Sequence, residues 1–172
     1  MEQKHQLSQF AANRVAADTG SRSLKQIYET MAANGQIDSA MISTLIEEEI
    51  ALEKSLIFPI KKNIEQVRDG DILVSDMYMS SADILNLARS VGMDKQVTIY
   101  QSNGDKSNGS FWNSMKGKLD LEYHLGDNIH SDYNMPSNYG FNAVHYDNSL
   151  THMEELLIGN GMLHLGLLIR EV

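Results

Sequence analysis

At Gly70 the rhythm of apolar residues changes. Before it they recur at the three-and-four spacing of helices; after it they come as short runs at 72–74, 97–100, 121–125 and 142–146, each separated from the next by a stretch with helical signals. Strands that alternate with helices are the pattern of βαβ units, because consecutive parallel strands need a crossover between them. The expected class is therefore α/β, with a helical segment over residues 1–69 and a parallel sheet within residues 70–172.

The helical half carries its own punctuation. Ser23 and Gln26 form a capping box ahead of Leu24, Ile27, Tyr28 and Met31 on one face, and Asn34-Gly35 closes that helix. Leu7, Phe10, Ala11, Arg14 and Val15 give an earlier helix that stops at Gly20. Asp38 is placed to cap a long helix, whose Glu47-Glu48-Glu49 run reads as its solvated face. Pro59 then restarts the helical phase. Beyond Gly70, DILNLARSVG is a well-formed crossover helix, FWNSMKGK a weaker one, and SLTHMEELLIGNGMLHLGLLI reads as a helix interrupted near Gly159 and Gly161.

A chain of 172 residues accommodates one core plus an appendage, and 42% hydrophobic with 22% charged residues is the composition of a folded domain. The net charge of −9 argues against a nucleic-acid surface, which needs clustered Lys and Arg. No apolar run reaches the length of a membrane span, and the opening residues lack a basic region followed by an apolar one. With cysteine absent, disulfides and thiolate chemistry are excluded. The expected location is the cytoplasm.

Parallel sheets gather functional groups beyond the carboxyl ends of their strands. Here the first strand delivers Ser75 and Asp76, the second leads to Lys106, and the third to Asp127, Asn128 and Asp132. A hydroxyl, an ammonium and paired carboxylates are the groups that hold a phosphoryl group and Mg²⁺, an ion that takes oxygen ligands and often shares them with a substrate phosphate.

SDMYMSS, SNGDKSNGSFW and HLGDNIHSDYNMPSNYGFNAVHY resemble the second, third and fourth motifs of the haloacid-dehalogenase-like (HAD) hydrolases, over roughly residues 70–147. The likeness is to a bacterial branch often fused to, or encoded beside, sugar transferases of surface polysaccharide synthesis. That resemblance implies a Rossmannoid core with residues 1–69 as a cap-like segment, and a Mg²⁺-dependent phosphatase-type reaction on a small phosphorylated substrate. It gives Ser75 the phosphoryl oxygens, Lys106 the charge on the nucleophile and intermediate, and Asp127 the Mg²⁺, with Asp132 and Asn128 in support. A glycosyltransferase partner goes with it, and self-association is expected separately, because a sheet lacking one strand has an unpaired edge that another chain can cover.

The family's first motif, a strand ending in DxD whose leading aspartate attacks phosphorus, has no counterpart before Gly70. In the family that strand lies centrally, between those carrying the second and fourth motifs, so hydrolysis is expected to be weak or absent. A non-catalytic binding or scaffold domain, or a fragment of a longer product, is the alternative. In another register Asp76 would be the nucleophile and Ser102 the second-motif hydroxyl, but Tyr78 then stands where the acid/base carboxylate belongs.

Plainer readings exist for each residue. Ser75-Asp76 could cap a helix, Asp127 and Asp132 could be a turn and an N-cap, and Lys106 taken alone is an exposed loop lysine. His124 reads as a strand residue and His130 as an exposed one, with no third ligand spaced for zinc. Phe111 and Trp112 read as packing on a short helix.

Overall fold

In the computed structural model, residues 1–146 are described; the helix expected around 149–169 lies outside them. The chain mixes helices with small parallel sheets and divides into two compact units, Met1–Asp105 and Lys106–Val172. Among the described residues no helix is long and apolar enough to cross a membrane.

In the first unit the helices are α1 (Glu2–His5), α2 (Phe10–Ala17), α3 (Leu24–Ala33), α4 (Ile42–Leu56), α5 (Lys61–Gln66) and α6 (Ser81–Ser90), and the strands are β1 (Ile72–Ser75) and β2 (Thr98–Gln101). The capping box expected at the start of α3 is present in both directions, Ser23 Oγ accepting from Gln26 N and Gln26 Oε1 from Ser23 N. Asp38 caps a three-residue 3-10 turn that leads into α4. Leu24, Ile27, Tyr28 and Met31 of α3 bury their stripe with Phe10, Leu45, Met79, Ile84 and Leu87, so the helical segment shares one core with the crossover helix α6. β1 and β2 pair in parallel, Ile72 opposite Thr98 and Ser75 opposite Gln101.

The glutamate run of α4 departs from the expected solvated face. Glu49 is buried, because burial of a carboxylate is tolerable when donors surround it. Arg14 reaches it from α2 through Nη2 at 2.8 Å and Nε at 3.1 Å, and Tyr28 donates its hydroxyl at 2.6 Å from α3. Burial and then the Glu49 carboxylate push the Tyr28 phenol far above its ordinary range, so the hydroxyl remains a donor. Arg14 also stacks over the Tyr78 ring, 4.8 Å from its centroid, and Tyr78 in turn donates to Glu53 at 3.0 Å. One guanidinium thus ties α2, α4 and the segment after β1 together.

The second unit holds α7 (Asp105–Asn108, entered at the unit boundary), α8 (Ser110–Met115), β3 (His124–Gly126), a wide π-helical turn over Ile129–Asn134, α9 (Met135–Asn138) and β4 (Ala143–His145). β3 and β4 pair in parallel, His124 opposite Ala143. Phe111 and Trp112 are buried as expected, and the Trp112 ring meets His124 at 4.6 Å and Phe141 at 5.4 Å. Among the described residues β1 pairs with β2 alone and β3 with β4 alone.

Glu49→Leu is expected to cost about 1–3 kcal/mol, since it leaves the Tyr28 hydroxyl and two of the Arg14 N–H groups without their acceptor while Asp18 still pairs with the guanidinium, whereas Glu47→Leu on the exposed face should stay within about 0.5 kcal/mol. Urea unfolding of the two variants checks this; equal losses would mean that the cluster contributes nothing beyond the helix itself.

Candidate functional site

The residues singled out from the sequence fall into two groups, one in each unit. In the first unit, Ser75 ends β1 and its Oγ accepts from Met77 N at 3.1 Å, so the chain turns immediately after the strand. The helix that follows is capped by Ser80, whose Oγ accepts from Asp83 N, so Ser75 and Asp76 are not its cap. Asp76 instead braces the loop after β2: its Oδ1 accepts from the buried Ser102 hydroxyl in a very short contact and from Gly104 N at 3.2 Å. Ser102 Oγ lies 3.1 Å from the Ser75 carbonyl as well. Gly104 has φ +86°, and a Cβ there would stand 2.7 Å from the Gly20 carbonyl oxygen, which only glycine avoids.

In the second unit Lys106 is buried, contrary to the exposed reading. Its Nζ donates to Asp132 Oδ1 at 2.7 Å, and His124 Nε2 lies 3.3 Å from the same oxygen. Asp132 Oδ2 accepts from Asn128 N at 3.3 Å. Burial acts to raise the Asp132 pKa, but hydrogen bonds from His124 and Lys106 and the ammonium's charge outweigh it and hold the carboxyl down at about 2. The N-cap of the wide turn is Asn128, whose Oδ1 accepts from His130 N and Ser131 N at 3.0 Å each. Asp127 presents an exposed carboxylate, while its carbonyl accepts from His145 Nε2 at 2.9 Å. His130 is exposed as expected and donates to the Ser107 carbonyl at 2.8 Å.

The donors expected for Mg²⁺ do not fit a resident ion. Asp132 already meets an ammonium, Asn128 spends its amide oxygen on two backbone N–H groups, and only Asp127 offers an open carboxylate. Among the described residues no group of three His, Cys, Asp or Glu side chains is arranged to hold a metal. Sequence reasoning missed His124 as a partner of Asp132; the signal was its place at the start of the strand leading into the Asp127–Asp132 loop.

No protein-family model matches this chain, and no curated protein matches it.

Two outcomes are expected. A carboxyl depressed from 3.8 to about 2 adds stability that is present above about pH 4 and lost as the pH falls towards 2, on the order of 2 kcal/mol for this group. The difference between wild type and Asp132→Asn, followed by urea unfolding over that range, should shrink with falling pH; a constant difference counts against an ionised Asp132. Gly126→Ala puts a Cβ 2.5 Å from Asp132 Cβ and should cost about 1–3 kcal/mol in the same measurement, with an unchanged midpoint refuting the tight fit.

Proposed function

We propose that the chain is a HAD-like α/β domain of the phosphohydrolase type that turns over phosphoesters weakly or not at all. One observation supports this reading: among the described residues the strands form two parallel pairs, β1 with β2 and β3 with β4. In the family resembled, the strand bearing the nucleophile lies between the strands equivalent to β1 and β3, and its loss leaves two such pairs. Phosphoester hydrolysis by covalent catalysis needs the aspartate that this strand would carry. Asp76 is a poor substitute, since Ser102 and Gly104 already occupy one of its oxygens. In the first unit Ser75, at the end of β1, is suited to phosphoryl oxygens, with a small phosphorylated molecule or free phosphate as the matching ligand, and in the second unit the Lys106 ammonium is the group of matching charge. Association with a polysaccharide glycosyltransferase follows from the resemblance alone.

The engagement of Asp76 and Asp132 by donors of the protein itself favours a second reading, a non-catalytic binding or scaffold domain. Both readings retain an anion site, and they differ in turnover.

An aryl phosphate assay with Mg²⁺ is expected to give background rates for wild type and for Asp76→Asn alike. Turnover abolished in Asp76→Asn would restore that residue as nucleophile, and turnover that survives it would overturn the proposal. Inorganic phosphate is expected to raise the Tm of wild type and not of Ser75→Ala, by an amount that grows with the logarithm of its concentration; no rise in wild type removes the anion site.

A further inference from the structure

Asp132 sits in a setting that leaves nothing for a metal to do. Its side chain is only 7% exposed and that of Lys106 11%. One carboxylate oxygen takes the ammonium and His124, and the other takes the Asn128 amide. The Gly126 backbone closes the remaining side, where an ideal Cβ would stand 2.8 Å from Asp132 Oδ2. A Mg²⁺ ion demands near-octahedral oxygen ligands and releases its waters reluctantly, so at this carboxylate it would have to evict an ammonium or stand beside it in a site of low dielectric. The loop is closed by contacts of the chain itself. His145 ties the Asp127 carbonyl to the end of β4, His130 ties the turn to Ser107, and Trp112 Nε1 donates to the Ser131 carbonyl at 3.1 Å.

We propose that Asp132 is the fixed counter-ion of Lys106, held in place by His124, and that this internal ion cluster, rather than a divalent cation, supplies the charge that closes the loop from Asp127 to Asp132. Asp132 and His124 are then positioning residues. They hold the Lys106 ammonium at one place and orientation, with one N–H bond given to Asp132. The inference stands on the geometry of the second unit and does not depend on the HAD-like reading, which turnover tests separately.

The full chain decides it in two measurements. In the first, the indole N–H resonance of Trp112, the only tryptophan, is followed as MgCl₂ is added to protein stripped with EDTA. It reports the Ser131 contact and the neighbouring His124 ring. No saturable shift is expected, and the Tm should be the same in EDTA and in millimolar Mg²⁺; a saturable shift, or a Mg²⁺-dependent rise in Tm that Asp132→Asn abolishes, overturns the proposal. In the second, Lys106→Met and Asp132→Asn are each expected to lower the Tm by several degrees, and the double variant to recover at least half of the larger loss, because a lone buried charge costs more than none. Lys106→Arg should keep most of the wild-type Tm. Losses that simply add, or an arginine as damaging as methionine, overturn it. Should the single variants fail to fold, the wild-type titration with Mg²⁺ still decides.

Discussion

A charge removed from water has to meet its opposite and find donors for its remaining lone pairs, and both units of this protein are organised around a place where that happens. In the first unit Glu49 receives Arg14 and Tyr28; in the second Asp132 receives Lys106 and His124. Each cluster draws its members from separate elements, so the apolar packing around it can close only in the register that brings the partners together. The arrangement is weak evidence for stability in itself, since a well-packed apolar replacement is often as stable, but it penalises any arrangement in which one partner is left alone.

The two clusters treat their surroundings differently. Around Glu49 the cation is also a packing element, because the guanidinium carbon lies over the Tyr78 ring, 4.8 Å from its centroid, and the group bonds the carboxylate through two nitrogens, a fork that arginine provides and lysine does not. Around Asp132 the cation is a compact ammonium on a flexible stem, which suits a loop closed by a wide turn. Lysine can make further hydrogen bonds after its first, as arginine can, but it makes them from a single rotating ammonium rather than from a fixed planar fork.

What the sequence disclosed was local. The capping box at Ser23, the stripe of α3, the glycine-punctuated helix α6 and the four apolar runs that became strands all rest on residues within a few positions of each other. The misreadings were of residues whose partners are distant in the chain. Glu49 looks like one more acid on a charged face until Arg14, from another helix, is seen beside it, and Lys106 looks exposed until Asp132 is. The plainer cap readings do not hold where several polar residues compete: Ser80 rather than Ser75 starts α6, and Asn128 rather than an aspartate starts the wide turn. Local sequence shows that a cap is near, while backbone direction decides which residue provides it.

The only tryptophan lies in the second unit, against a histidine ring, and among the described residues the longest helices lie in the first. Tryptophan emission therefore watches one unit alone, while far-ultraviolet circular dichroism also follows the helices of the other. Denaturation curves recorded by these two probes coincide only when the whole chain melts in a single cooperative step. A gap between them would show the two clusters coming apart one after the other.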